Sequence, residues 1–383
     1  MYKDFFTSFH IGAYCLNKNS RDEEHVRELA ECGIDLLFCV NNDTALLDLL
    51  AKYNVSAVVN GVLPGWFGAD GKNAGTMHLT NPKEAYLARA SLFKDHRAII
   101  GIDVGDEPSA LDFPHYGRVI ELMKDVLPDK LLYLNIYPSY GMLADAGKEQ
   151  ARRELGTDTY AEYLTAYAEC VDLPYVSIDH YLYSSEMSAF LGDLATASSV
   201  AKKYNRALMM VLQVNSKDEG IYISEDELRF QAWCSLAYGA RTVTWACYSP
   251  GWWHNCVLDD GGAKTEQYEK LKAVNKELRY FAKLYMRYSH RKTSVVKGGA
   301  SYTAEGGVTV SVDSDTLLGE FRGESGETAL LCVPLDRAGE VKIDGDGCEK
   351  IHVLCHTPKQ TSSHNAQNHS VLPKGTPVFI YNV

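Results

Sequence analysis

Residues 99–109 read Ile-Ile-Gly-Ile-Asp-Val-Gly-Asp-Glu-Pro-Ser, and this stretch decides the fold. The aliphatic residues at its start predict a buried strand, and Glu107 stands where that strand ends, directly before a proline. Because side chains alternate along a strand, one face is aliphatic and the other is small or acidic. The first face carries Ile100, Ile102 and Val104, and the second carries Gly101, Asp103, Gly105 and Glu107. An aliphatic outer face and a small or acidic inner face are typical of a barrel strand.

Similar strand-like runs recur along the chain, and a helical run follows nearly every one of them. The predicted strands cover 8–16, 34–41, 55–63, 98–107, 131–138, 175–183, 207–214 and 242–249. The predicted helices cover 20–33, 43–53, 81–96, 115–127, 157–171, 186–204, 224–239 and 265–288. Ser20 with Glu23 has the spacing of a capping box at one helix start. Eight strand–helix pairs in about 290 residues predict an α/β protein with a (β/α)8 TIM barrel rather than an open doubly wound sheet.

The character of the chain changes near its C-terminal quarter, where short alternating strands are separated by Gly and Asp. These strands are predicted at 308–312, 328–333, 341–343, 351–354 and 378–381. We therefore expect two domains, a catalytic barrel at 1–291 and a small all-β, sandwich-like accessory domain at 292–383. The polar stretch 357–370 is predicted to be a loop. A supporting role is favoured for this domain, because no aromatic platform for a sugar stands out in it.

Composition excludes several classes of protein. The chain has 383 residues, of which 46% are hydrophobic and 23% charged, which is an ordinary globular composition. Its net charge of −12 argues against a sequence-independent nucleic-acid binder, which needs a basic surface. No run of about 18 apolar residues predicts a membrane span. The N-terminus lacks the apolar core of a signal peptide, so we expect a cytoplasmic protein, with secretion left open should a leader have been removed. The oligomeric state stays open.

Polar side chains stand near the predicted C-terminal tips of most strands, on the face opposite the aliphatic residues. This set is His10, Asn41, Asn60, Glu107, Asn135, Tyr137, Asp179, Tyr181, Gln213 and Tyr248. Aromatic residues follow strand three and lie around strand eight, namely Trp66, Phe67, Trp245, Trp252 and Trp253. Buried polar groups cost free energy unless they are partnered, so such a cluster usually surrounds a polar ligand. A mixture of aromatic faces with amide, hydroxyl and carboxylate groups favours a carbohydrate ligand.

Three strand tips carry a resemblance to a known group of enzymes. They are Gly105-Asp106-Glu107-Pro108 on strand four, Asn135-Ile-Tyr-Pro138 on strand five and Asp179-His-Tyr181 on strand six. Over residues 8–290 the chain resembles the large clan of barrel glycoside hydrolases that includes many β-galactosidases and glucanases. In that clan the strand-four Glu is the general acid/base, so the resemblance implies this role for Glu107. It also implies cleavage of O-glycosidic bonds in oligosaccharides or glycosides.

The chain departs from that clan at strand seven, where the clan places a nucleophilic Glu. Here the predicted tip of this strand presents Gln213, and an amide is a poor nucleophile. Asp179 is the leading candidate for a second carboxylate, with Asp218 or Glu219 in the following loop behind it. Alternatively the substrate supplies its own nucleophile, with Gln213 or Asp179 steering it.

Glycoside hydrolysis needs an acid that protonates the leaving oxygen and a base or nucleophile that meets the developing positive charge. Glu107 suits the first role if desolvation or a neighbouring carboxylate such as Asp103 raises its pKa. Asp106 falls on the outer face of the strand, where we expect it to face the helices or to cap the loop. The distance between the two carboxylates would separate retention from inversion of the anomeric configuration.

Two alternative functions stay open at this stage. One is a noncatalytic carbohydrate-binding barrel, which the missing strand-seven Glu favours. The other is a barrel enzyme of a different class, such as an aldolase or a metal-dependent hydrolase. No Schiff-base lysine stands at a strand tip and no metal-ligand spacing occurs, so we expect neither a metal nor another cofactor. The sugar, its linkage and anomer, and endo or exo action are left open.

Overall fold

A computed structural model describes residues 2–68, 73–142, 152, 154–305, 307–336, 339–344, 351–357, 360–366, 370–371 and 377–382. Eight parallel strands form one sheet in the order β5-β4-β3-β2-β1-β8-β7-β6, and a parallel bridge between Ile136 and Ile178 joins its two ends. The strands are β1 His10–Tyr14, β2 Leu36–Asn41, β3 Ser56–Asn60, β4 Ile99–Asp106, β5 Leu131–Asn135, β6 Tyr175–His180, β7 Ala207–Gln213 and β8 Ala240–Ala246. The sheet is a TIM barrel, as the strand–helix alternation predicts.

Helices connect the strands, as expected for parallel neighbours. They are α1 Glu23–Glu31, α2 Thr44–Lys52, α3 Met77–Thr80, α4 Lys83–Ala90, α5 Phe113–Val126, α6 Tyr160–Cys170, α7 Met187–Lys203, α8 Glu225–Ala237 and α9 Gln267–Tyr285. Asp22, rather than Ser20, caps α1, because its carboxylate accepts the backbone N–H of His25. None of these helices, nor any other in the described ranges, has the length and apolar character needed to cross a membrane.

The C-terminal strands form two antiparallel sheets. A six-stranded sheet has the order β16-β15-β18-β13-β12-β9, and a four-stranded sheet has the order β10-β11-β14-β17. The strands are β9 Tyr288–Val296, β10 Ser301–Thr303, β11 Thr309–Val312, β12 Thr316–Gly323, β13 Thr328–Pro334, β14 Val341–Asp344, β15 Ile351–Thr357, β16 Gln360–Ala366, β17 Ser370–Val371 and β18 Val378–Asn382. Side chains from both sheets share one core, in which Val310 and Ile343 meet Leu318 and Leu330. The predicted sandwich-like all-β domain is therefore present.

Backbone proximity divides the chain into two compact units. One unit comprises Met1–Ser224 with Arg241–Lys272, and the other comprises Glu225–Ala240 with Ala273–Val383. The first unit contains the strand tips that the sequence singles out. The domain boundary between residues 291 and 292 stays a prediction.

Candidate active site

The tip of β4 is held on both sides by backbone hydrogen bonds. The backbone N–H of Asp106 donates to the carbonyl of Trp66 at 2.7 Å, and that of Glu107 donates to the carbonyl of Asn135 at 3.0 Å. The hydroxyl of Tyr163 donates to the carbonyl of Pro108 at 2.7 Å. Glu107 itself has φ +42°, in the left-handed region that few residues with a side chain adopt. The chain therefore fixes the Glu107 backbone firmly in an uncommon conformation.

A β-bulge in β4 changes which side chains face the barrel interior. Asp103 pairs with Tyr133 and Gly105 with Leu134, so β4 has one residue more than β5 between these pairs. The extra residue inverts the alternation and turns Asp106 inward. The prediction that Asp106 faces the helices or caps the loop is therefore corrected. Because the strand ends here and Glu107 has a positive φ, two consecutive carboxyl groups enter the same cavity.

That cavity lies among the strand tips of the first unit and has a volume of about 280 Å³. It is lined by Tyr14, Phe67, Asp106, Glu107, Asn135, Asp179, Tyr181, Val211, Trp252 and Trp253. One side of the cavity lies at the ends of β4, β5 and β6. We call its four residues the acidic wall, namely Asp106, Glu107, Asn135 and Asp179. Tyr14, Trp252 and Trp253 come from β1 and the segment after β8, on the far side of the barrel in the strand order, and we call them the aromatic wall.

Hydrogen bonds join the members of the acidic wall. The carboxyl groups of Glu107 and Asp179 are hydrogen-bonded to each other, which requires a proton on one of them. The side-chain amide of Asn135 donates to Asp179 Oδ1 at 2.8 Å and also contacts the carboxylate of Asp106. Asp179 is nearly inaccessible to solvent, whereas Asp106 exposes its surface. A ligand in the cavity can therefore reach Asp106 more readily than Asp179.

Burial and mutual repulsion keep this wall partly protonated. Burial is the main cause that raises the pKa of Glu107 well above its usual range, and the charges of Asp179 and Asp106 add to it. Burial likewise raises the pKa of Asp179 to about 7. Beneath them, burial and the charge of Asp106 raise the pKa of Asp103 to about 8. A raised pKa favours the protonated form of Glu107, which is the state that a general acid requires.

A chain of hydroxyl groups crosses the barrel below the cavity and supports the acidic wall. The Tyr14 and Tyr133 hydroxyls lie 2.7 Å apart, and the Tyr133 hydroxyl lies 3.2 Å from that of Ser177. Ser177 donates to Asn135 Oδ1 at 3.0 Å, which leaves both amide hydrogens of Asn135 for the two aspartates. The orientation of Asn135 is therefore fixed by its acceptor oxygen.

Rings of the aromatic wall contact one another and Tyr181. The Tyr14 ring stacks on Phe38 with centroids 5.0 Å apart and meets Trp252 edge-on at 6.2 Å. Tyr181 meets Trp253 edge-on at 5.0 Å. The aromatic wall therefore places ring surfaces on the side of the cavity opposite the carboxyl groups.

The structure brings together about half of the side chains that the sequence predicts for the site. Those that line the cavity are Glu107, Asn135, Asp179, Tyr181 and Trp252. Burial, and after it the nearby Glu107 carboxyl group, raises the pKa of Tyr137, and the Tyr137 hydroxyl has no hydrogen-bond partner within the described part of the chain. Phe67 and Trp253, named among the aromatic residues, also line the cavity.

Three predicted residues lie elsewhere because of where their strands begin or end. His10 starts β1 instead of ending it, and its ring contacts Asp35 and stacks on Phe5 at the opposite end of the barrel. Asn41 is exposed after a bulge in β2 that shifts its register with β3. Asn60 is the last residue of β3, and it lines a separate cavity beside Arg89 of α4.

Three others are occupied with the surrounding structure. Gln213 is buried, and its amide accepts from the Tyr183 backbone at 2.9 Å and donates to Ser184 Oγ at 3.1 Å, so it secures the turn after β6. Trp245 is fully buried and precedes Ala246, which packs in one cluster with cavity residues such as Val211, so Trp245 faces outward. Tyr248 is buried near Cys32 and Tyr268, on the helix side.

The loop carboxylates Asp218 and Glu219 are exposed and do not line the cavity. The position that β7 contributes to the cavity is Val211. Sequence reasoning missed Tyr14 and Val211 as cavity residues. Tyr14 lies on the same face of β1 as His10. Strand alternation therefore predicts Tyr14 as a cavity residue when β1 is taken to end at Tyr14. No group of three His, Cys, Asp or Glu side chains within the described ranges is arranged to hold a metal ion.

Comparison with known proteins identifies the fold of this chain but no sequence family. No family model matches the sequence, and no curated protein matches it either. Among solved structures, one described as a glycoside hydrolase aligns at 11% identity with TM-score 0.57, covering 98% of this chain and 92% of its own. A Paenibacillus sp. cycloisomaltooligosaccharide glucanotransferase, complexed with cycloisomaltoheptaose, aligns at 8% identity with TM-score 0.58, covering 99% of this chain and 85% of its own. At these identities the likeness shows that the chain shares their barrel architecture.

Proposed function

We propose that this protein is a glycoside hydrolase that cleaves O-glycosidic bonds in oligosaccharides or glycosides by carboxylate acid/base catalysis. The observation that carries the proposal is the carboxyl group of Glu107, which lines a cavity with an aromatic wall on its other side and whose pKa burial raises well above its usual range. The clan to which the strand tips point assigns the same acid/base role to this position. The shared barrel architecture of the solved glycoside hydrolase is consistent with it.

Glu107 is the proposed general acid. It donates its proton to the glycosidic oxygen as the bond to the anomeric carbon breaks. Asp179 hydrogen-bonds Glu107 and raises its pKa, so it keeps the proton in place until the substrate oxygen accepts it. The accessible carboxylate of Asp106 lies beside the developing positive charge and stabilises it.

The remaining cavity residues are proposed to bind the sugar. Trp252 and Tyr14 offer ring faces and edges to its CH groups, and Tyr181 offers a hydroxyl. Asn135 is occupied by the two aspartates, so its proposed contribution is to orient them rather than to bind a sugar hydroxyl. The reaction requires no cofactor.

A panel of glycosides tests this function. The wild type should cleave at least one natural or alkyl glycoside, and Glu107→Gln should lower kcat/KM on it by about 10²–10⁴-fold. On the matching 2,4-dinitrophenyl glycoside the loss should be much smaller, because that leaving group departs without a proton. Glu121→Gln, on the exposed face of α5, is the matched control and should retain wild-type kcat/KM.

Equal losses on both substrates would contradict the acid role of Glu107. Failure of the wild type to cleave any glycoside, while calorimetry detects sugar binding, would show a binding protein instead. Thermal unfolding of each variant separates loss of activity from loss of fold.

A further inference from the structure

The carboxyl groups of the cavity all lie on one side of it. Asp106, Glu107 and Asp179 belong to the acidic wall, whereas Tyr14, Trp252 and Trp253 form the opposite wall. The residue that β7 contributes is aliphatic, Val211. Among the described residues that line the cavity, none carries a carboxylate toward the other face of a bound sugar ring.

This arrangement does not suit a mechanism with two enzyme carboxylates. In that mechanism the two groups flank the sugar, about 5–5.5 Å apart for retention and about 6.5–9.5 Å for inversion. Glu107 and Asp179 are instead in direct hydrogen-bond contact, which leaves no room for substrate between them. None of the described cavity residues is therefore placed to attack the anomeric carbon from the face opposite Glu107.

We propose, resting on the proposed function, that the substrates are 2-acetamido-2-deoxy glycosides whose acetamido group is trans to the leaving group. In such a sugar the acetamido carbonyl oxygen reaches the anomeric carbon from the side opposite the leaving oxygen. The nucleophile is then intramolecular, and the enzyme needs an acid and an amide-binding carboxylate on one wall only.

The step balances as follows. The acetamido oxygen forms a bond to the anomeric carbon while the bond to the leaving oxygen breaks, and the Glu107 proton passes to that oxygen. The product is an alcohol and a cyclic oxazolinium ion. Water then adds to the anomeric carbon from the vacated side and gives a proton to Glu107. The ring opens to the free amide, and the sugar is released with retained configuration.

Asp106 is the carboxylate best placed to bind the amide N–H. It is the exposed member of the acidic wall, and Asn135 fixes it from behind. Its negative charge next to the amide nitrogen stabilises the positive charge of the oxazolinium ion. Asp179, enclosed and bonded to Glu107, then serves as a positioning residue.

The test uses the full chain and two sets of 4-nitrophenyl glycosides. The first set is the β- and α-anomers of 2-acetamido-2-deoxy-D-glucose and of D-glucose, and the second set is the corresponding galactosides. We expect kcat/KM on the β-acetamido substrates to exceed that on all others by about 10²-fold or more. Replacing acetyl by mono-, di- and trifluoroacetyl should lower kcat/KM stepwise, because fluorine weakens the carbonyl nucleophile. The sulfur-bridged thiazoline analogue of the cyclic intermediate should bind by calorimetry more tightly than the free sugar.

Two outcomes would overturn the inference and leave the proposed function standing. One is cleavage of glycosides without the acetamido group at comparable kcat/KM. The other is an azido sugar of inverted configuration formed by Asp106→Ala or Asp179→Ala in the presence of azide, since that product requires an enzyme carboxylate as nucleophile. If no glycoside of any series is cleaved and the thiazoline does not bind, both the proposed function and this inference fail.

Asp106→Asn gives a second measurement. It should lower kcat on the β-acetamido substrate by about 10²–10³-fold. It should also alter the dependence on fluorine substitution, which a merely structural role would not do. Asp218→Asn, an exposed aspartate outside the cavity, is the matched control and should retain both values.

Discussion

At the scale of single residues, the feature that matters most is the contact between Glu107 and Asp179. Two carboxyl groups in hydrogen-bond contact cannot both ionise readily, so each raises the proton affinity of the pair. Burial contributes even more to the raised pKa of Glu107. The acid is thus maintained by its surroundings, and its protonation responds to changes in its neighbours.

Asp179→Asn should move the alkaline limb of the kcat/KM profile to lower pH. The limb reports loss of the proton from the free enzyme's general acid. Removing a negative neighbour lowers the pKa of Glu107, so the proton is lost earlier as pH rises, with a shift of about one pH unit. The pH dependence of kcat/KM on any cleaved glycoside measures it. Asp218→Asn should leave the limb in place, and a shift to higher pH in Asp179→Asn would contradict the assignment.

The sequence indicated Glu107, Asn135, Asp179 and Tyr181 because each stands at or just past the end of a strand, where alternation and strand length give the position. It did not indicate Asp106. The bulge before it depends on pairing with β5 and on the side chain of Tyr116, and neither is visible in the local pattern. His10 shows the reverse case. The face of β1 on which it lies was predicted correctly, but His10 begins the strand instead of ending it.

At the scale of elements, the bulge in β4 depends on the absence of a side chain at Gly105. Its φ is +154°, and a Cβ there would lie 2.0 Å from the Tyr116 hydroxyl and 2.9 Å from the Trp66 carbonyl. Tyr116 belongs to α5, and the Trp66 carbonyl accepts the backbone N–H of Asp106. The close approach of helix and loop to this glycine therefore positions both carboxylates.

Gly105→Ala should destabilise the protein by about 2 kcal/mol or more, because the new methyl group overlaps fixed atoms. Gly192→Ala in α7 is the matched control. A Cβ at Gly192 meets nothing within 4 Å, so this substitution should stabilise the helix by roughly 0.5–1 kcal/mol. Urea unfolding of both variants measures the difference, and a Gly105→Ala variant as stable as the wild type would refute the role given to the bulge.

The aliphatic strands of the barrel were easier to predict from the sequence than the polar strand of the C-terminal sheet. All eight barrel strands were predicted within a few residues, because each combines an aliphatic run with flanking helical patterns. The prediction of a loop at 357–370 was wrong for Gln360–Ala366, a polar segment that pairs with Ile351–Thr357. A strand at the edge of a sheet needs no aliphatic face, so composition gave no signal for it.

At the scale of the whole molecule, the cluster of buried acids ties stability to pH. Asp103 has a pKa of about 8 in the folded chain against about 3.9 when unfolded. Between these values the folded state binds more protons than the unfolded state, so the free energy of unfolding falls as pH rises. The raised pKa values of Glu107 and Asp179 act in the same direction.

Asp103→Asn should reduce this pH dependence. Asparagine keeps an oxygen that can accept the Gly105 backbone N–H, a bond of 2.8 Å in the wild type, and it cannot ionise. We expect the variant to be more stable than the wild type by on the order of 2 kcal/mol at pH 9, with little difference at pH 4. Thermal unfolding across this range tests it, with Asp129→Asn on an exposed turn as control. A variant that follows the wild-type curve would show that Asp103 does not titrate in this range.

The left-handed backbone at Glu107 carries an evolutionary implication. Glycine and asparagine adopt that conformation at less cost than glutamate, and the difference is of order 1 kcal/mol. A library randomised at this codon and selected only for resistance to proteolysis should therefore become enriched in those two amino acids. The same library selected for turnover should return glutamate, so that the two selections would pull a single position in opposite directions.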